Sequence, residues 1–210
     1  MWERVCFRAA AYRTPVRVRD HGAADGARYH EPGSEATQYF SLHPLGPWAE
    51  QVRNQRCTTL EDALEIRLPV WAVRVVLPSE PLILDFDVAA SGSWPHPITP
   101  EGLVADDHGE CRALAAAHRR DPAAARSLRV PSAALPATEN LVILGRRRGI
   151  EYLAHPRRAV QIPYAAAGVD ARMAARLFPQ IRLHGEPHAG LEAWRRGEDL
   201  RLPEVSLAAA

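Results

Sequence analysis

The 210-residue sequence contains no lysine, and arginine supplies all 26 of its basic residues. Without lysine there is no P-loop of the usual kind, no Schiff-base cofactor and no kinase-type phosphate-binding lysine. Basic and acidic residues nearly cancel, at a formal net charge of +1. Because a surface that follows nucleic-acid phosphates usually needs a basic excess, this balance argues against direct binding to nucleic acid. The abundance of arginine and alanine is typical of GC-rich bacterial coding.

Cysteine is also scarce, since the chain has three widely spaced cysteines and no CxxC pair. This number disfavours a disulfide framework or a four-ligand zinc site and fits a reducing compartment. The opening segment MWERVCFRAA lacks the charged-then-apolar layout of a signal peptide. No apolar run approaches the length of a membrane span. We therefore expect a cytoplasmic protein with no membrane segment.

Metal-site motifs are missing as well, and so are GxGxxG and GxSxG. Only His184 and His188 have a ligand-like spacing, and the glycine and proline between them break a helix. Asp85 and Asp87 in DFD fit either a metal pair or two carboxylates on the exposed face of a strand end. We expect no bound metal. The GRRRG segment at 145–149 fits either a phosphate or acidic-partner contact or a solvated turn.

Strand-like and helix-like segments interleave without a regular βαβ rhythm. This pattern predicts one α+β domain over residues 1–210, built on a mixed central sheet. Residues 14–35 are rich in glycine, proline, aspartate and arginine and predict a loop. The predicted strands are 4–9, 37–42, 68–77, 80–88, 128–135, 140–145 and 158–164. The predicted helices are 44–55, 106–120, 168–178 and 190–197.

Three chemically complementary residues recur at equal spacing: Arg28, Tyr39 and Glu50 are eleven positions apart. A permanent cation, an amphipathic ring and a carboxylate suit three walls of a site for a phosphate-bearing ligand. The alternative is that Arg28 and Glu50 form an ordinary surface pair and that Tyr39 is a half-buried strand residue. Trp48, close to Glu50 on the same predicted helix, fits either the core or a pocket wall.

Short segments between residues 6 and 145 resemble, in order and spacing, the RES domain. This family occurs as toxins beside Xre-type antitoxins. The matching segments are CFR with Phe7 and Arg8, ARYH with Arg28, QYFSL with Tyr39, PWAE with Glu50, and then LRVPSA and ENLVIL. Residues 150–210 are expected to be a C-terminal extension of the same domain.

The sequence departs from the family pattern at three places. His30 stands where the family has asparagine, and Gly109 in DDHGEC occupies the position of the serine in an Asp-Trp-Ser segment. Ser132, in VPSA, is a polar group on a neighbouring element. Arg13 competes with Arg8 for the early arginine of the family pattern.

The resemblance implies a sheet related to the ADP-ribosyltransferase toxins and cleavage of the nicotinamide–ribose bond of NAD⁺. Inorganic phosphate, water or a protein side chain would accept the ADP-ribosyl group. The implied catalytic residues are Glu50, which would stabilise the ribosyl cation, Arg28 and Tyr39. The implied NAD⁺-binding residues are Arg8 and Arg28 at the pyrophosphate or incoming phosphate, Tyr39 stacked on nicotinamide, and Ser132.

The resemblance also implies an Xre-type antitoxin partner, with a homo-oligomer or a hetero-complex as the assembly. Two alternatives stay open. One is ADP-ribosyl transfer to a protein target. The other is a catalytically silent RES-like module with a binding or regulatory role, which the departures at His30 and Gly109 favour.

Overall fold

A single mixed sheet organises the chain in the computed structural model, which describes residues 1–9, 26–34, 37–66, 68–121, 127–145, 151–153, 161–163 and 171–202. The strands are β1 (Trp2–Ala9), β2 (Thr37–Ser41), β3 (Pro69–Leu77), β4 (Leu82–Ile83), β5 (Ser127–Pro131), β6 (Glu139–Leu144), β7 (Glu151–Leu153) and β8 (Gln161–Pro163). The helices are α1 (Gly46–Asn54), α2 (Leu60–Glu65), α3 (Phe86–Ser91), α4 (Pro100–Val104), α5 (Gly109–Arg120), α6 (Ala171–Leu177) and α7 (Ala189–Arg195), with a 3₁₀ turn at Phe178–Gln180.

The strand order is β4-β5-β6-β2-β1-β3-β7, and β8 also pairs with β3. Strands β4 and β5 are parallel, whereas the other pairs are antiparallel. Neighbours in the sheet come from distant parts of the chain, as where β2 lies between β1 and β6. The predicted α+β class with a mixed central sheet is therefore confirmed.

The sheet opens at its centre, between β1 and β2. Strand β1 pairs with β3 along its whole length, and β2 pairs with β6 along its whole length. Between β1 and β2, however, the paired register consists of Phe7 opposite Ser41. Strand β1 continues to Ala9 and β2 begins at Thr37, so the end of β1 and the start of β2 lie side by side without pairing. The gap between them is where the cavity described below lies.

Helices pack on the sheet through two buried clusters. One cluster joins α3, α4 and α5 to β5 and β6, with Leu114 and Val142 among its fully buried side chains. The other joins α1, α2 and α6, with Trp48 and Leu177 buried at 3% and 1% exposure. Trp48 donates its indole N–H to the Ala63 carbonyl at 3.2 Å. Trp48 is thus a core residue.

The predicted strand over 80–88 is wrong for most of its length. Strand β4 consists of Leu82–Ile83, and α3 begins at Phe86. Asp85 caps this helix, because its carboxylate accepts from the Val88 N–H at 2.9 Å. Asp87 accepts from the Trp194 indole N–H at 2.8 Å. The two carboxylates therefore serve helix α3 and its contact with α7 instead of alternating along a strand.

Other boundaries also differ from the prediction. The strand expected over 128–135 ends at Pro131, and the helix expected from 106 begins at Gly109. Arg13, most of the predicted loop over 14–35 and the arginines of GRRRG lie outside the described residues, as does much of the predicted strand over 158–164. Within the described ranges no helix has the length and apolar character that crossing a membrane requires.

Candidate functional site

A cavity of about 350 Å³ opens at the gap between β1 and β2. Its lining includes Arg8, Arg28, Tyr39 and Glu50, which are four of the five residues predicted from the sequence. These residues come from β1, the turn before β2, β2 itself and α1. The fold thus brings together residues that lie up to 42 positions apart in the chain.

Helix α1 presents Glu50 to the cavity because the helix lies very close to β2 at its start. A Cβ atom on Gly46 would be 1.9 Å from Ser41 Oγ, so only glycine fits there. Glu50 follows one turn later, and Arg53 and Asn54, which also line the cavity, follow at the i+3 and i+4 positions. One face of α1 therefore forms a wall of the cavity.

Glu50 is the one carboxylate among the described residues that line the cavity. Its Oε1 accepts from Asn140 Nδ2 at 3.1 Å and from Ser132 Oγ at 3.4 Å. Both contacts are to the same oxygen, so Oε2 remains for a ligand. The carboxylate is held on one side by the β5–β6 hairpin and open on the other.

Ser132 lies behind Glu50 and outside the lining, and its exposure is 0%. Its hydroxyl accepts from the Leu135 N–H at 3.1 Å, and its carbonyl bonds His188 Nε2 at 2.9 Å. These bonds fix Ser132 in the turn that follows β5. The expected direct contact of Ser132 with NAD⁺ does not suit this burial, whereas a supporting contact to Glu50 does.

Arg28 is anchored at one end and unpaired at the other. Its Nη1 donates to the Leu103 carbonyl at 3.2 Å, while its buried Nη2 has no hydrogen-bond partner. Arg28 and Glu50 form no ion pair with each other, although both are fully described. The alternative of an ordinary surface pair therefore does not hold. The Arg28 guanidinium, in the wall of the cavity, suits an anionic ligand.

Tyr39 lines the cavity with its ring orientation fixed by its hydroxyl. The hydroxyl accepts from the Tyr29 N–H at 3.0 Å and bonds His30 Nδ1 at 3.1 Å. Burial raises the pKa of Tyr39 well above its usual range, so the phenol stays neutral. Burial, with the nearby guanidinium groups of Arg119 and Arg112, lowers the pKa of His30. His30 thus serves as a neutral partner that orients Tyr39.

Arg8 bridges the gap in the sheet. Its Nη1 donates to Gln38 Oε1 at 2.7 Å, and its guanidinium lies 5.6 Å from the centre of the Phe40 ring. Because alternate residues of a strand point to opposite faces, these contacts place the Arg8 side chain on the face opposite to Tyr39. Arg8 therefore joins the cavity from the other side of the opening between the strands.

The lining residues that sequence reasoning missed include Arg53, His108 and Asn140. Arg53 follows Glu50 at helical spacing, a signal that was available. His108 immediately precedes Gly109, in the segment compared with the family serine. Burial, with Arg28 and other nearby arginines, lowers the pKa of His108 to about 4. Asn140 lies in the ENLVIL segment, but its proximity to Glu50 depends on the sheet order.

A buried ionic network anchors one side of the cavity. Arg53, at 5% exposure, pairs with Asp106, and Arg182 Nη2 lies 3.1 Å from the same carboxylate oxygen. The other Asp106 oxygen accepts from the Gly185 N–H at 2.7 Å. Asp106 neutralises part of the positive charge of Arg53 and Arg182, while Arg28 forms no ion pair with a carboxylate of the described residues. The cavity therefore favours an anionic ligand next to a single carboxylate.

The described part of the chain contains no group of three histidine, cysteine, aspartate or glutamate residues that would hold a metal ion. Comparison with protein-family models and with curated protein sequences gives no match. Among solved structures, this chain is similar to a chain in the crystal structure of the M. tuberculosis MbcT–MbcA toxin–antitoxin complex, with a TM-score of 0.56 and 16% sequence identity. The alignment covers 84% of this chain and 89% of that chain, so the likeness establishes a shared fold.

Proposed function

We propose that this chain degrades NAD⁺ by breaking the bond between nicotinamide and ribose, and that it acts as the toxin of a toxin–antitoxin pair. The observation that carries this proposal is the convergence of Arg28, Tyr39 and Glu50 on one cavity. Glu50 is the carboxylate of that cavity, and its Oε2 has no protein partner among the described residues. The RES-domain resemblance of the sequence supports the same reaction.

The substrate fits the charges of the cavity. NAD⁺ carries a pyrophosphate, for which planar guanidinium groups are the best side-chain partners, and Arg28 lies in the cavity wall. Arg8 lies at the same opening and would bind the other part of the pyrophosphate or the incoming phosphate. Nicotinamide is a cationic ring in NAD⁺, so the fixed ring of Tyr39 is a suitable stacking partner.

The chemistry requires one carboxylate and no general acid. When the nicotinamide–ribose bond breaks, its electron pair goes to the ring nitrogen, and nicotinamide leaves as a neutral molecule. Positive charge develops on the ribose, as in glycoside hydrolysis, and Glu50 Oε2 would stabilise it. The acceptor then attacks the anomeric carbon: an oxygen of a phosphate dianion bonds to it directly, whereas an attacking water molecule loses a proton, which Glu50 would accept. Glu50 would be the catalytic carboxylate and Ser132 a supporting residue.

The toxin role rests on the fold. The similar solved chain belongs to a toxin–antitoxin complex, which supports an antitoxin as the partner of this chain. A co-purification of this chain with the product of the adjacent gene tests this part of the proposal. A helix-turn-helix protein that binds the chain and suppresses its activity is the expected result. An adjacent protein that neither binds nor inhibits contradicts it.

Gly109 favours a second candidate, a catalytically silent module that binds NAD⁺ without consuming it. Gly109 occupies the family serine position and has no side chain to offer to a substrate. The two candidates share the ligand and differ in turnover. A binding measurement beside a turnover measurement therefore distinguishes them.

The test is NAD⁺ consumption by purified chain, free of antitoxin, with and without phosphate. Wild type and the exposed control Glu65→Gln are expected to consume NAD⁺ equally. Glu50→Gln is expected to retain binding and to lose about 10²-fold or more in rate, because its amide cannot stabilise the ribosyl cation. Phosphate dependence would identify phosphorolysis. Label from NAD⁺ that appears on protein would indicate ADP-ribosyl transfer, and a chain that neither binds nor consumes NAD⁺ overturns the proposal.

A further inference from the structure

Glu50 is held by one polar side chain that also lines the cavity, Asn140. The Asn140 amide donates to Glu50 Oε1 at 3.1 Å, which is shorter than the 3.4 Å contact from Ser132 Oγ. The donor must be the amide nitrogen, since an amide oxygen offers no proton to a carboxylate. Asn140 thus makes the closer of two contacts to the residue on which the proposed reaction depends.

The backbone of Asn140 is fixed on both sides. Strand β6 lies between β5 and β2, so Asn140 pairs with Val130 on one side and with Ser41 on the other. A donor on a doubly paired strand moves little when a ligand enters. Helix α1, which carries Glu50, touches β2 at Gly46 and Ser41. The carboxylate and its donor are therefore held on elements that are packed against the same strand.

We infer that Asn140 is a positioning residue that holds Glu50 by Oε1 and so directs Oε2 at the ribose of the substrate. This inference rests on the proposed function. The two oxygens of Glu50 then have different roles: Oε1 is bound to the β5–β6 hairpin, and Oε2 faces the substrate. Without Asn140, the carboxylate keeps only the longer contact to Ser132, and Oε1 and Oε2 become interchangeable by rotation about the last side-chain bond.

The first test compares Asn140→Ala with Thr138→Ala, in turnover and in binding. Thr138 is the matched control because it donates to the Leu135 carbonyl at 2.7 Å in the same hairpin and has no contact with Glu50. Asn140→Ala is expected to lower kcat by about 10- to 100-fold, the loss that corresponds to a hydrogen bond to a charged group, with the Kd for NAD⁺ nearly unchanged. Thr138→Ala is expected to keep wild-type kcat.

A second variant is tested by the pH dependence of its activity, which loss of packing alone would not change. Asn140→Asp keeps the shape of the side chain but places two carboxyls at hydrogen-bond distance, which then share a proton. As the pH falls, the shared proton restores a donor to Glu50, so the variant is expected to recover activity at lower pH, where wild type does not gain. The other charged groups of the cavity are the same in both proteins, and they are Arg8, Arg28, Arg53 and His108.

The outcomes separate this inference from the proposed function. If wild type consumes NAD⁺ and Asn140→Ala retains its kcat, the positioning role is wrong although the proposed function stands. A fall in kcat with an equal fall in binding, or an equal fall in Thr138→Ala, also overturns the role, since it would reflect general damage to the hairpin. If wild type leaves NAD⁺ intact, the proposed function fails and the inference fails with it.

Discussion

Arg53 and Asp106 form an ion pair between helix α1 and the segment that precedes α5, with the arginine side chain buried and the carboxylate 21% exposed. Arg53 is 5% exposed, and Asp106 also contacts Arg182, which is 8% exposed. One carboxylate thus serves two buried guanidinium groups from distant parts of the chain. The carboxylate is essential to this arrangement, because two cations without it would repel each other in a region of low polarity.

We predict that Asp106→Ala destabilises the protein by about 3 kcal/mol, because it leaves two buried arginines without their counter-ion. Urea denaturation at neutral pH measures the change. The control is Glu3→Ala, which removes an exposed pair with Arg74 at 2.6 Å and is expected to change stability little. Equal unfolding midpoints for the two variants would show that the buried network contributes no more than the surface pair.

A pH-dependent loss of stability is predicted from His188. The Nδ1 of its ring accepts from the Leu191 N–H at 3.0 Å, while Nε2 bonds the Ser132 carbonyl at 2.9 Å. A proton on Nδ1 would break the first bond. Burial is the main cause that lowers the pKa of His188, which falls from 6.5 to about 4. The unfolded chain therefore binds this proton first, and the stabilisation that is complete above pH 6.5 is lost as the pH falls towards 4.

This effect is measured by urea denaturation between pH 7 and pH 5. His30, His43 and His108 also have lowered pKa values, so they contribute to the wild-type slope. His188→Gln is expected to reduce that slope by about 1.4 kcal/mol per pH unit, the share of one proton. Parallel curves for wild type and the variant would contradict the assignment.

Secondary structure followed the sequence where one local signal dominated. The long apolar run of β3 and the alanine-rich α5 were both predicted within a few residues. The strand over 80–88 was wrong because Asp85 satisfies the backbone of a helix start instead of continuing a strand. A capping carboxylate and a carboxylate at a strand end look alike in sequence, and the contact with the following N–H distinguishes them.

The candidate site was predicted only in part, because some of its residues are brought together by the order of the strands. The spacing of Arg28, Tyr39 and Glu50 is visible in the chain, and all three line the cavity. Asn140 reaches Glu50 across 90 positions because β6 lies beside β2, and this neighbourhood depends on the strand order. The periodicity of the sequence predicts which side chains of a strand face inward, but it does not predict which strands are adjacent in the sheet.

Tyr39→Phe is predicted to affect stability more than NAD⁺ binding. The phenol hydroxyl accepts from the Tyr29 N–H, and its removal leaves that buried donor without a partner, at a cost of about 1–3 kcal/mol. The ring remains, so the Kd for NAD⁺ is expected to change less than threefold, whereas Tyr39→Leu should weaken binding about tenfold. Isothermal titration and thermal unfolding measure the two effects. Equal losses of binding in the two variants would assign the contact to the hydroxyl.

Gly46→Ala is predicted to destabilise the protein by about 1–3 kcal/mol, although alanine is the better helix former. Its Cβ would lie 1.9 Å from Ser41 Oγ and 2.6 Å from Ser41 Cβ, so helix α1 would have to move away from β2. Unfolding midpoints measure the loss. Adding Ser41→Gly removes both clashing atoms and is expected to restore part of the stability. A single variant as stable as wild type would contradict the close approach.

Gly109→Ser is predicted to leave both stability and NAD⁺ consumption close to wild type. The atoms nearest to a Cβ at Gly109 would be those of the Asp107 carboxylate, at 3.5 Å or more, so the Cβ of serine fits without strain. His108 lines the cavity but Gly109 does not, and Ser132 already supports Glu50. We therefore expect rates within threefold of wild type and unfolding midpoints that match those of Gly109→Ala, the control without a hydroxyl. A tenfold or larger gain in rate for serine over alanine would show that position 109 reaches the substrate.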